Sequence, residues 1–114
     1  MAMQIIALTP DFAVSPQLLA DDFAFASTQG FKTLINNRPD GEGGDAQPIS
    51  RALEEAAHAA GLHYVYLPVV SGAITTEQVQ ALQKVLAFAP RPMLAFCRSG
   101  ARSAQLFGLT QQLG

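Results

Sequence analysis

The chain has 114 residues, 49% of them hydrophobic and 14% charged, with one Cys and a formal net charge of −2. Such a chain is one domain with room for a core of its own, and its apolar content excludes disorder. The lone cysteine excludes a disulfide framework and a cysteine-rich zinc module, and the mild acidity excludes the footprint of a nucleic-acid or anionic-membrane binder.

No apolar run approaches the ~20 residues of a membrane span. The opening Met1-Ala2-Met3-Gln4-Ile5-Ile6 lacks the basic n-region and long apolar h-region of a leader, so the expectation is one cytoplasmic domain over residues 1–114. Ile5-Ile6-Ala7-Leu8 is a short apolar run ended by Thr9-Pro10, and Phe12-Ala13-Val14 reads as a second strand. Leu19 to Gln29 carries no β-branched residue before Thr28, and Gly30 follows as a helix stop. Thr33-Leu34-Ile35 reads as a strand, and a loop rich in Gly follows from Asn36 to Asp45. Pro48 suits the first turn of a helix whose apolar stripe is Ile49, Leu53, Ala56, Ala57 and Ala60, ended by Gly61. Tyr64 to Leu67 is the next strand and Pro68 to Ile74 the next loop.

Thr75-Thr76-Glu77-Gln78 fits a capping box, with Thr75 as N-cap and Gln78 at the third helical position. Val79, Leu82, Val85 and Leu86 continue at helical spacing until Pro90 and Pro92. Met93-Leu94-Ala95-Phe96 is a strand running straight into Cys97, and Ser103 to Leu113 closes the chain as a helix. Strands alternating with helices predict an α/β fold, a mostly parallel central sheet of four to five strands flanked by helices. Ligands of such sheets bind at the carboxyl ends of the strands, here where loops 36–48, 68–75 and 97–103 meet.

Cys97-Arg98-Ser99-Gly100-Ala101-Arg102-Ser103 is the most informative stretch. It lies between a strand and a helix start, where backbone N–H groups converge on an anion. Gly100 permits a positive φ, Arg98 and Arg102 add fixed charge, and Ser103 adds a hydroxyl. These groups favour thiolate over thiol, so the Cys97 pKa is expected well below its free value. An inert core cysteine needs none of them. A nucleophile and its anionic substrate share one cradle made of residues 98–103.

This loop resembles the active-site loop of single-domain rhodaneses, Cys-Arg-x-Gly-x-Arg. It is also similar to the tyrosine and dual-specificity phosphatase signature of cysteine, five residues and arginine. The elements Ile35-Asn36-Asn37-Arg38-Pro39-Asp40-Gly41-Glu42, Tyr66-Leu67-Pro68-Val69 and Phe96 to Ser103 together resemble the beta-lactamase-hydrolase-like, or DUF442, family, from about Leu8 to the C-terminus. The resemblance implies a fold like that of the protein-tyrosine and dual-specificity phosphatases. It also implies a persulfide dioxygenase as a partner, since some members are fused to one.

Two departures from the phosphatase pattern favour sulfur chemistry. Four residues separate Cys97 from Arg102, and Ser103 stands where a phosphatase places its arginine. The loop Pro68-Val69-Val70-Ser71-Gly72-Ala73-Ile74 has no carboxylate where dual-specificity phosphatases carry their general acid. Losing such an acid costs ~10²–10⁴ in rate for a poor leaving group, whereas sulfite needs no proton to leave. The expectation is a rhodanese-type sulfurtransferase working through a Cys97 persulfide, with Cys97 and Arg102 catalytic and no metal or organic cofactor. Arg98, Ser99, Gly100, Ala101, Ser103 and Arg38 then bind the small anion, which is thiosulfate, a persulfide or phosphate.

The alternative is a cysteine-dependent phosphatase with Asp40 as general acid. A second alternative is a non-catalytic anion- or persulfide-sensing module. Glu42 and Asp45 read as ordinary charges of a solvated turn, and Asn36 and Asn37 as backbone-capping residues. Calcium binding from Asp40 fails because an EF-hand loop begun there ends on Arg51 where it needs Glu. His58 and His63 lie off the carboxyl ends of the strands. Phe12, Phe23, Phe25, Phe31, Phe88 and Phe107 read as core or rim, and Tyr64 and Tyr66 share one partly exposed strand face.

Overall fold

A computed structural model describes residues 4–113. The leader expectation rests on Met1-Ala2-Met3-Gln4-Ile5-Ile6, of which the first three lie outside the described residues. The elements are β1 (Ile6–Thr9), β2 (Phe12–Ser15), α1 (Phe23–Thr28), β3 (Thr33–Asn36), α2 (Ser50–Ala59), β4 (His63–Tyr66), α3 (Thr76–Phe88), β5 (Met93–Phe96) and α4 (Ala101–Leu113). They form a five-stranded sheet in the order β1-β2-β5-β3-β4. The β1–β2 hairpin is antiparallel and every other pairing is parallel, as the alternation of elements predicts.

β5 lies at the centre, hydrogen-bonded to β2 on one side and β3 on the other. Its four residues are all buried, as a strand covered on both faces requires. The two-residue period splits them between two cores. Met93 and Ala95 join Val79 and Leu82 of α3 and Leu106 of α4. Leu94 and Phe96 join Phe23 of α1 and Leu53 and Ala57 of α2 on the opposite face.

Several expectations shift by a residue or more. The helix predicted from Leu19 to Gln29 is a 3₁₀ turn at Ala20–Asp22 followed by the short α1. The Asp22 carboxylate accepts from the Leu19 N–H at 2.8 Å and fixes that entry turn. Ile49 is no part of the buried stripe: α2 starts after it, and it is 57% exposed. Phe88, at the last position of α3, is 87% exposed and belongs to no core. α4 begins at Ala101, ahead of the expected Ser103.

The capping box forms as predicted. Thr75 Oγ1 accepts from the Gln78 N–H at 3.2 Å while Gln78 Oε1 accepts from the Thr75 N–H at 2.8 Å. Among the described residues no helix is long and apolar enough to cross a membrane.

Candidate active site

Between the end of β5 and the start of α4 the chain has only Cys97, Arg98, Ser99 and Gly100 in which to reverse. Gly100 makes this possible with φ +94°, and the turn packs so closely on β2 that a Cβ there would lie 3.2 Å from the Ser15 carbonyl carbon and oxygen. The Gly100 N–H donates to Cys97 Sγ at 3.0 Å. Burial alone pushes the Cys97 thiol up. The N–H groups of Ser103, Gly100 and Ser99 more than offset that and bring it below its ordinary value, as the sequence predicts.

Arg102 sits in the first turn of α4, so its one-residue-short spacing does not remove it from the site. Its Nη1 donates to Glu42 Oε2 at 2.8 Å and to the Val69 carbonyl at 2.9 Å, and its Nη2 donates to Glu42 Oε1 at 2.8 Å. A guanidinium has five N–H donors. Those three bonds leave Nε–H and one N–H of Nη2, which form the side fork suited to two oxygens of an anion. Glu42 therefore holds Arg102 by one edge and leaves the other to a ligand.

Glu42 is the residue that the sequence reading misplaced. Far from being a solvated turn charge, it also accepts from Arg38 Nε at 2.9 Å. The Arg102 guanidinium, with help from Arg38 and against the effect of burial, holds its carboxyl at about 2. Arg38 is expected near the anion and does reach the site, with Nη1 donating to Gln17 Oε1 at 3.1 Å. Asp40 does not. Its Oδ1 accepts from the Ser50 N–H at 2.8 Å and so anchors the start of α2, away from the cleft that the arginines line.

The two asparagines divide. Asn36 is the capping residue expected, accepting the Arg38 N–H at 2.9 Å. Asn37 does more: its Nδ2 donates to the Leu67 carbonyl at 2.8 Å and its Oδ1 accepts from Ser103 Oγ at 2.7 Å. The three loops meet as predicted around a cleft of about 440 Å³. Arg38 and Glu42 come from the first loop, Ser71 from the second, and Arg98, Ser99, Ala101 and Arg102 from the third, with Gln105 behind them. Gln17 and Ser71 carried no signal in the sequence, being single polar residues outside any motif.

A family model for the beta-lactamase hydrolase-like protein, phosphatase-like domain, matches residues 4–114. The chain belongs to that family. It is 36% identical over 109 residues to the beta-lactamase hydrolase-like protein of Xylella fastidiosa, covering 96% of this chain and 25% of that protein. The chain thus spans about a quarter of that relative's length. A solved structure from Neisseria meningitidis, provisionally described as a phosphatase, has a TM-score of 0.86 at 31% identity, covering 94% of this chain and 75% of that one. The core catalytic domain of the PP-IP phosphatase SIW14 from Saccharomyces cerevisiae, solved with citrate, superposes with a TM-score of 0.73 at 19% identity, over 96% of this chain and 65% of that one. The last likeness is one of fold alone. The resemblance read from the sequence stands, and this phosphatase-like domain has the predicted α/β architecture. Its relatives favour the phosphatase alternative over the sulfurtransferase expectation.

Proposed function

We propose that the domain is a cysteine-dependent phosphatase acting on a small organic phosphate whose leaving group departs without a proton. The observation that carries this is the free fork of Arg102 beside a cradle of N–H groups that already draws down the Cys97 thiol. The Cys97 thiolate attacks phosphorus, forming the P–S bond as the P–O bond breaks, and the leaving oxygen keeps the electron pair. Water then attacks the cysteinyl phosphate and releases orthophosphate. The returning thiolate is received by the N–H of Gly100 and its neighbours. Arg102 and the loop N–H groups hold the non-bridging oxygens, and Arg38 and Arg98 supply further positive charge in the cleft.

The leaving-group restriction follows from Glu42. It is the one carboxylate lining the cleft among the described residues, and at about 2 it is ionised at neutral pH, with both oxygens occupied. It has no proton to give. Aryl phosphates and phosphoanhydrides, whose leaving anions are stable, suit such a site. The cleft volume of about 440 Å³ is that of a small-organic-ligand site and exceeds the need of an inorganic anion alone.

The same lack of a proton donor favours one second reading, sulfur transfer through a Cys97 persulfide. In it the thiolate takes the outer sulfur of thiosulfate, or of a persulfide handed over by a partner dioxygenase, and sulfite or thiol leaves as a stable anion. Steady-state turnover of an aryl phosphate and of thiosulfate by one sample, with intact mass after each, separates the two. Aryl phosphate turnover that vanishes in Cys97→Ser supports the phosphatase. Thiosulfate turnover with one added sulfur on the protein, and no phosphate release, overturns it in favour of sulfur transfer. A persulfide that no small thiophile discharges points to a sensing module.

A further inference from the structure

A second cavity adjoins the first. A groove of about 300 Å³ opens across the turn Ser99–Ala101 from the arginine-lined cleft, and Ser99 and Ala101 line both. Its wall is Ile6 and Leu8 of β1, Val14, Pro16 and Ala104, and no charged side chain lines it. The topology explains its apolar character. β1 is one of the two edge strands, paired only with β2, and stands beyond the core in which α3 and α4 cover β2, β3 and β5. Ile6 is left 62% exposed and Leu8 39% exposed, two residues apart on one strand and lining the same groove. Scattered exposed apolar residues need no explanation, but two lining a concave surface against the nucleophile's own loop form a patch of the kind that marks a binding site.

We propose that this groove binds the apolar part of an organic phosphate whose phosphoryl group lies over Cys97. The inference rests on the phosphatase reading and narrows its substrate class to amphipathic aryl monoesters, with an apolar body and one anionic head; n-alkyl phosphates, whose alkoxides do not leave unaided, serve below as unreactive probes of the same groove. The occupant follows from continuity: a ligand held by the cradle has only the width of Ser99–Ala101 between its head and the groove. The division of chemistry agrees, since the cationic side chains line the cleft and none lines the groove.

The chain's single thiol makes the test direct, because its rate of alkylation by iodoacetamide reads occupancy of the cradle without any turnover. Inorganic phosphate and n-alkyl phosphates from ethyl to octyl are titrated as protectants of Cys97. Protection is expected to strengthen by up to about fourfold per methylene until the groove is full. The octyl-to-ethyl ratio should collapse toward one in Leu8→Asp and in Ile6→Asp, variants whose folding is checked by thermal unfolding. Protection independent of chain length, or a ratio unchanged in both variants, overturns the groove while leaving the phosphatase reading in place. If either variant instead changes the sedimenting mass, the patch is an interface between copies and the proposal fails. Absence of protection by any phosphate, inorganic included, removes the anion site and both readings with it.

Discussion

Ser103 Oγ donates to Asn37 Oδ1 across 2.7 Å, and this buried bond joins the first turn of α4 to the residue after β3. The Asn37 amide cannot turn over, because its Nδ2 is committed to the Leu67 carbonyl at 2.8 Å beyond the end of β4. One side chain thus sets the spacing of three loops around the cleft. That bond also holds in place the residue whose backbone N–H does most to bring down the Cys97 thiol.

Ser103→Ala is expected to shift the alkylation–pH profile of Cys97 upward, toward that of the urea-unfolded chain. The native thiol is depressed, so the wild type reacts at a lower pH than an ordinary cysteine and the variant loses part of that advantage. The orphaned Asn37 oxygen should also cost about 1–3 kcal/mol of stability, read by denaturant unfolding. An unmoved profile would mean that the bond to Asn37 does not position the Ser103 N–H on the sulfur.

Glu42→Gln tests the carboxylate that grips Arg102. Catalytic efficiency on an aryl phosphate should fall about 10²-fold as the guanidinium loses its orientation. Stability carries a pH signature as well. The carboxyl is depressed from 4.5 to about 2, so its contribution is present above 4.5 and is lost as pH falls through about 2. The difference in melting temperature between wild type and Glu42→Gln should shrink across that window. A constant difference would mean that the ion pair adds nothing to folding.

Arg102→Lys keeps the charge and removes the fork. If the side edge of the guanidinium clasps two oxygens, kcat should drop about 10²–10³-fold even though a cation remains. Near-wild-type turnover in the lysine variant would reduce Arg102 to a source of positive potential.

Gly100→Ala places a side chain at φ +94° and drives its Cβ to 3.2 Å from the Ser15 backbone. The backbone conformation alone costs roughly 1–2 kcal/mol. A fall in melting temperature on the order of 5–10 °C is expected, together with slower Cys97 alkylation as the Gly100 N–H moves off the sulfur. Full stability in the variant would show that the turn has slack.

The parts of the molecule legible in the sequence are those whose causes are local. Met93–Phe96 announces itself by four apolar residues before a turn, and Thr75 with Gln78 by three-residue spacing. The Cys97 loop is likewise written in consecutive residues. Glu42 was not legible, because its partner Arg102 is 60 residues away and no local rule distinguishes it from any loop glutamate. Asn37 hides in the same way, 66 residues from Ser103. The arginine spacing carries less than the helix start, for a related reason: counting residues from Cys97 ignores that α4 begins at Ala101 and brings Arg102 to the cleft. The choice between phosphorus and sulfur is not legible in the loop either, since its motif serves both chemistries.

Cys97 follows immediately on β5, and Phe96 is in register with Ser15 on one side and Asn36 on the other. Backbone amides in such a central strand exchange with solvent only when the whole sheet opens. The reactive sulfur is therefore tethered to the part of the sheet expected to open last. Heat should then abolish the low-pH reactivity that sets this thiol apart from an ordinary cysteine together with the global transition and not before it, so the nucleophile itself reports the intactness of the sheet.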